Sequence, residues 1–489
     1  MSRPVVAVIG GGISGLVAAR TLGADCEVAL FESAPDTGGK LKTAQLNDAP
    51  VDIGPDAFIT RQEAGERLCR ELGLGDELLA PSSNSVAIFS RGELHQLPKG
   101  IVLGIPTDRR ALGEADVVSR LATWRVLADA FAIGPALRTG ALELAQAGGA
   151  DPTVAQVFGP RLGQEVLRTL IDPLLGGINA SDVNALSLAA CAPQLFRRIE
   201  GKRSVMQALR AEPATFAPGS GRPPFIGLSH GMASLARVLE VACRTLGVAI
   251  YNESEVRAIA RDTAGKWKIT TERATHVADA VLVATPAFVT AKLLAETAPD
   301  ISGELATIPY ASVVTACFSW PSAAIPTGVA TRLQQVVPTA PTSGYPLVGS
   351  GVLVPRDGRR LLTAATFTSS KWPRSAAPGE VVVRAFAGRH SDDRALRLSD
   401  QELEASLLSD LAEVLGVVAP PTASLLHRWQ DALPQYVTGH LAKIGRIEAA
   451  LSRSPTLALS GAAYHGIGIP ACIDDAEAAS SRLLKSLLA

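Results

Sequence analysis

What this sequence lacks narrows it before any motif is read. Six cysteines (Cys26, Cys69, Cys191, Cys243, Cys317, Cys472) are spread over 489 residues without a close pair. That pattern excludes a disulfide framework and a paired-cysteine zinc site, and it suits small buried hydrophobes in a reducing compartment. The seven histidines show no H-x-x-x-H or H-E-x-x-H spacing, so no metal is expected. Neither sign of charge dominates: 46 basic and 47 acidic side chains nearly cancel. With no run of like charges either, nucleic acid has nothing to grip.

Long apolar runs are missing too. AVLVATPAFVTA (280–291) carries a proline and stops at Lys292, short of the ~20 residues a membrane span needs. The N-terminus enters a strand after one arginine, which leaves no room for an export signal. A cytoplasmic protein is expected, with peripheral membrane contact left open, and the sequons at Asn179 and Asn252 carry no weight there. Internal repeats and low-complexity tracts are absent.

What is present is a globular composition, 47% hydrophobic and 19% charged, in a chain long enough for two or three domains. It opens with VVAVIGGGISGLVAARTL (5–22). Residues 4–9 read as a strand buried on both faces, 14–23 have helical spacing, and EVALFE (27–32) reads as a second strand. A β-α-β unit fits the ~30 residues available. Gly10, Gly12 and Gly15 form G-x-G-x-x-G between strand and helix: the first permits the tight turn, the second lets backbone approach a pyrophosphate, the third lets helix and strand pack closely. The helix N-terminus then faces the diphosphate. Glu32, seventeen residues beyond Gly15, is placed to accept hydrogen bonds from the adenosine ribose.

The unit alone serves NAD or FAD. Two further glycine-bearing stretches, ESAPDTGGKLKT (32–43) with Gly38 and Gly39, and DIGPDAF (52–58), suggest a longer cofactor lying deeper, which FAD fits better. Beyond them 101–215 turns helical, APGSGRPP (217–224) reads as a linker, strands return from 225, a helix is expected at 401–416, and a final helix near 475–488.

Taken together, GGGISGL, GGKLKT, DIGPDAF, GELHQLPKGIVLGIPTD (92–108), IDPLLGGINASD (171–182), SSKWP (369–373), RWQDALPQYVTGH (428–440) and GAAYHGIGIPACI (461–473) resemble the oxygen-dependent porphyrinogen oxidases. These are the FAD-containing protoporphyrinogen and coproporphyrinogen III oxidases of haem synthesis, relatives of the amine oxidases. The similarity spans almost the whole chain, and the intact SSKWP with no membrane segment is closer to the soluble bacterial coproporphyrinogen oxidases.

The resemblance implies an α/β fold: a discontinuous Rossmann-type FAD-binding core (1–80, 225–290, 425–489), a mixed α+β substrate domain (81–100, 291–424) and a helical insertion (101–224), amine-oxidase-like. It implies FAD contacts from Gly10, Gly11, Gly12, Ile13, Ser14 and Gly15 at the diphosphate and from Glu32 and Ser33 at the ribose. Gly39, Lys40 and the turn Gly54, Pro55, Asp56, Ala57 would lie along the chain to the flavin, Val256 at the adenine, and Trp429 with Ile467, Gly468 and Ile469 at the ring end. Arg61 and Lys371, with Arg374, would meet the carboxylates of a tetrapyrrole substrate. Asp36, Asn179 and Ser181 depart from the family pattern of arginine, tyrosine and glycine. The implied reaction moves a hydride from a methylene bridge to flavin N5, a proton from a pyrrole nitrogen, and electrons to O2 to give H2O2, three times over. No acid–base catalytic residue is required, and a transient contact with a ferrochelatase suits the pathway.

Rival patterns exist. GLSHG (227–231) matches a nucleophile elbow, which would make Ser229 the nucleophile of a hydrolase. The plainer reading has Ser229 capping the following helix and Gly231 easing its start. An amine or polyene oxidase, or a non-enzymatic FAD protein, would share the same core. Among the histidines, His465 beside the expected flavin loop stands out.

Overall fold

A computed structural model describes residues 3–131, 137, 139–210, 223–337 and 344–488. The expected linker at 217–224 lies outside these residues up to position 222, as does the end of the helical run read at 124–134.

The β-branched run Val5–Ile9 becomes the central strand of a five-stranded parallel sheet. The strand order is Ala249–Tyr251, Glu27–Phe31, Val5–Ile9, Ala280–Val283, Leu457–Leu459. Both faces are covered, which is why the strands read as continuous apolar runs rather than alternating ones. One face packs on the helices Ile13–Gly23, Ala233–Thr245 and Ile469–Leu488. The other packs on the antiparallel strands Val256–Arg261, Trp267–Thr271 and Thr275–Ala278, and on the helices Ala287–Leu294, Pro299–Ala306 and His440–Leu451. The core is discontinuous, because strands far apart in sequence complete one sheet.

A seven-stranded mixed sheet forms the second layer: Ala423–Pro434, Tyr310–Pro321, Glu380–Ala387, Leu362–Phe367, Gly351–Leu353, Val86–Ser90 and Glu93–Gln96. The boundary expected between 424 and 425 therefore falls inside a strand of this sheet. Helices 287–294 and 299–306, which straddle or follow the boundary expected at 290–291, both pack beneath the parallel sheet. Sequence periodicity cannot see which sheet a strand joins. The helix expected at 401–416 is Asp400–Leu415, opened by a reciprocal Ser399/Glu402 capping box and stopped by Gly416 in the left-handed region.

The final helix starts at Ile469, six residues earlier than expected. Pro470 in its first turn needs no N–H partner and has its φ preset for a helix.

Residues 109–210 form a helical region with its own core around Phe158, Leu170 and Phe196. Within it, Leu167–Gly176 is a π-helical segment containing Pro173, a widened turn often found at functional sites. Asp172 on this segment is buried and accepts from Arg389 (3.0 Å) and Arg356 (3.2 Å); Arg356 also reaches Asp182 (3.2 Å). These ion pairs tie the helical region to the seven-stranded sheet. Among the described residues no helix is long and apolar enough to cross a membrane.

Candidate functional site

The glycine loop is built from backbone. Gly10 has φ of +100°, and its N–H donates to Phe31 O at 2.8 Å. A Cβ on Gly15 would sit 1.8 Å from Gly10 O, so strand and helix touch here only because Gly15 has no side chain. A Cβ on Gly12, by contrast, meets nothing within 4 Å. No side chain caps the helix that follows, and its first turn, from Ile13 and Ser14, holds no acidic residue. The positive end of the helix dipole therefore opens onto free space beside Gly12, an arrangement that fits a diphosphate.

Glu32 ends the second strand. Its carboxylate accepts from Gly11 N (2.6 Å) and Ala34 N (2.8 Å), and Ser33 Oγ donates to it at 3.2 Å. The acid is thus oriented by the loop it serves, with lone pairs left for two hydroxyls. Ser254 N donates to Glu32 O and Glu253 N to Ala34 O, which brings Val256, 8% exposed, to the same end. Asp36 is exposed on the neighbouring loop.

From there the chain runs inward. Gly39 packs on Gly12, and a Cβ on Gly54 would lie 2.0 Å from Lys40 O. Lys40 keeps an exposed surface, while desolvation by the surrounding protein lowers its pKa. Trp429 on the large sheet donates its Nε1 to Ile53 O at 3.1 Å. The loop with Ile467, Gly468 and Ile469 is fixed by Tyr436, whose hydroxyl accepts from Gly466 N (2.7 Å) and donates to Ala462 O (2.8 Å). Ser14 Oγ reaches Cys472 O at 3.3 Å, so this loop and the glycine loop adjoin.

The turn Gly54, Pro55, Asp56, Ala57 rests on buried charge. Asp56 accepts from Lys371 Nζ and Trp372 Nε1, both at 2.8 Å, and pairs with Arg384 at 3.3 Å. Burial alone would raise the Asp56 pKa, but the two cations outweigh it and hold the carboxyl far below its ordinary range. Arg374 pairs with Asp52 at 2.8 Å. Lys371 and Arg374, expected at the substrate rim, are therefore engaged by carboxylates beneath the turn. Their sequence signal, a basic residue in a distinctive motif, does not say whether an acid lies opposite. Arg61 is exposed and has no ion-pair or hydrogen-bond partner among the described residues.

The remaining expectations resolve locally. Ser229 does not cap the next helix: the N-cap is Met232, and Asp52 Oδ1 accepts from Met232 N (2.8 Å) while Thr43 Oγ1 accepts from Ala233 N (3.2 Å). No histidine or carboxylate bonds to Ser229 among the described residues, so no hydrolase triad forms. Gly231 has φ of +86°, and a Cβ there would strike Thr43. His465 is clamped between Asp475 (2.6 Å) and Glu448 (3.0 Å), and the Asp475 hydrogen bond leads in raising its pKa. Asn179 donates to Leu175 O (2.8 Å), closing the π-helical segment. Ser181 Oγ is buried without a partner among the described residues. Among the described residues no group of three or more candidate metal ligands occurs.

Comparison with known proteins follows the same lines. The profile of flavin containing amine oxidoreductases matches residues 13–484. A coproporphyrinogen III oxidase of Mycobacterium bovis is 33% identical over 98% of this chain and 97% of its own length. The Bacillus subtilis protein of the same name is 29% identical over 99% and 98%. A crystal structure from Exiguobacterium, provisionally designated a protoporphyrinogen oxidase, superposes with a TM-score of 0.82 at 28% identity over the full length of both chains. With a flavin as its cofactor and an open glycine loop near its N-terminus, the chain belongs to the flavin containing amine oxidoreductase family, among the porphyrinogen oxidases.

Proposed function

We propose that this protein is an FAD-dependent coproporphyrinogen III oxidase that yields coproporphyrin III in haem synthesis, with O2 as acceptor and H2O2 as by-product. The observation that carries the reading is the full-length match to coproporphyrinogen III oxidases, over 98% of the chain at 33% identity, together with the open space at Gly12 where a diphosphate fits.

Backbone N–H groups of the loop from Gly10 through Gly11, Gly12, Ile13 and Ser14 to Gly15 would hold the diphosphate, and Glu32 with Ser33 the ribose. Val256 would cover the adenine. Gly39, Lys40 and the turn Gly54, Pro55, Asp56, Ala57 would border the path inward, toward Trp429, Ile467, Gly468 and Ile469. Bound FAD supplies the hydride acceptor for the methylene carbon of the porphyrinogen. The protein's own work is orientation and exclusion of water: the apolar lining comes from the helical region, and that region is fixed to the sheet by Asp172, Arg356 and Arg389. Arg61, exposed and without an ion-pair partner among the described residues, carries a positive charge suited to a propionate beside the flavin turn. Lys371 would have to leave Asp56 to do the same. The division into an FAD-binding core, a substrate domain and a helical insertion follows from this reading. So do a cytoplasmic location, with or without peripheral membrane contact, and product transfer to a ferrochelatase.

Purified protein assayed fluorimetrically with coproporphyrinogen III and protoporphyrinogen IX side by side tests it. Faster, FAD-dependent appearance of coproporphyrin III with stoichiometric peroxide is expected. A clear preference for protoporphyrinogen IX reassigns the substrate. A yellow protein that oxidises amines or polyenes but neither porphyrinogen overturns the reading.

A further inference from the structure

Three cations and two carboxylates meet beneath the 54–57 turn. Lys371 and Arg384 share Asp56, and Arg374 holds Asp52, leaving one positive charge uncompensated. The group is sealed from water: side-chain exposure is 16% for Lys371, 10% for Arg374, 5% for Arg384 and 2% for Asp52. Trp372 is fully buried against them, its ring 5.2 Å from Lys371 Nζ and 5.6 Å from the Arg374 guanidinium.

The excess is not absorbed by neighbours. Arg374 Nε and Arg384 Nε are buried donors without an acceptor among the described residues. Arg384 spends its remaining N–H groups on the carbonyls of Asp52 and Gly54, the backbone of the turn itself. Glu380, on the same strand, turns to Ser319 (3.0 Å) and Asn47 (3.1 Å) instead. Lys40 and Lys42, across the turn, add positive charge rather than removing it. In a low-dielectric interior such a charge acts over a longer range than in water.

Resting on the proposed FAD reading, in which this turn leads to the flavin, we infer that Lys371, Arg374 and Arg384 form a buried cationic platform that raises the reduction potential of the bound flavin. Two-electron reduction with uptake of one proton leaves the flavin one unit more negative, so an uncompensated cation nearby stabilises the reduced form over the oxidised one. The role of the SSKWP segment is then electrostatic positioning from below, not contact with substrate carboxylates.

The sign of two charge changes tests this. The midpoint potential of the purified holoprotein is measured against a reference dye during slow anaerobic reduction. Lys371→Met, which neutralises the platform, lowers the potential by about 30 mV or more, the two-electron equivalent of a tenfold change in the reduced-to-oxidised equilibrium. Asp56→Asn, which doubles the excess, raises it. A merely structural ion pair would lower the melting temperature of both variants and give no opposed shifts. Potentials that both move the same way, or do not move, overturn the inference. Should Lys371→Met lose flavin, Arg374→Met makes the same charge change, and Asp56→Asn must still raise the potential. Wild-type protein that holds FAD but oxidises no porphyrinogen overturns the proposed function and leaves this test readable. Wild-type protein that cannot bind FAD overturns both.

Discussion

The glycine loop and the 54–57 turn are bridged by Gly39 and Lys40, yet they are made differently. The loop is mostly local: Gly10, Gly15, Phe31 and Glu32 lie within one β-α-β unit, and apart from Ser14 Oγ to Cys472 O its hydrogen bonds run backbone to backbone or backbone to one acid. The turn is assembled from afar, with Lys371 and Trp372 more than 300 positions from the Asp56 they grip. The first depends on the absence of side chains, the second on buried charges that must find each other. Steric failure is therefore the weakness of the loop, and unpaired charge the weakness of the turn.

Gly15→Ala is the sharpest way to break the loop. Its Cβ would overlap the carbonyl oxygen of Gly10, the residue just past the central strand, and neither partner can move without separating helix from sheet. A loss above about 4 kcal/mol in denaturant unfolding, together with loss of bound flavin, is expected. If Gly15→Ala keeps its flavin and melts normally, the loop is not as tightly closed as its geometry indicates.

Asp52→Ala attacks the turn by the other route. It strands Arg374 and removes the acceptor for Met232 N and Thr43 Oγ1, and about 3 kcal/mol should be lost. Asp52→Ala combined with Arg374→Met should recover much of that, because no charge is then left buried alone. A double variant no more stable than the single one would show that the pairing is not what matters.

The smallest effect belongs to the rim of the ring-end loop, where His465 bridges Asp475 and Glu448. Its pKa is raised in the folded state, so its contribution is complete below the ordinary histidine pKa and fades as pH rises through the higher folded value. At 45% exposure solvent screening holds the effect to about 0.5 kcal/mol. His465→Gln should therefore cost stability at pH 5.5 and almost none at pH 9, read as melting temperature against wild type. An equal cost at both would assign the histidine a packing role instead.

How much of this was readable from the chain follows from the same contrast. Val5 to Glu32 declared its structure because β-branched residues, glycine spacing and helical periodicity are local properties, and the loop closes on itself. The partners of Lys371 and Arg374, Asp56 and Asp52, were not legible, because a basic residue in a motif looks the same whether it faces solvent, substrate or an aspartate from another segment. Ser229 misled for a related reason: a good capping residue stood near a helix start, but Asp52 and Thr43, both distant in sequence, took the cap. Residues 425–434, expected at the start of the last segment of the FAD-binding core, belong to the strand Ala423–Pro434, whose pairing with Tyr310–Pro321 puts it in the large sheet.

The sequence by itself determined the strand-glycine loop-helix unit, the acid that pairs with the loop backbone and the family, since each is written in short-range spacing or in motifs spread along the whole chain. Only the tertiary structure decided which charges neutralise one another under the 54–57 turn and which, like Arg61, have no partner among the described residues. Pairing of buried charge is a property of distances in space, and those are set by how separated segments pack.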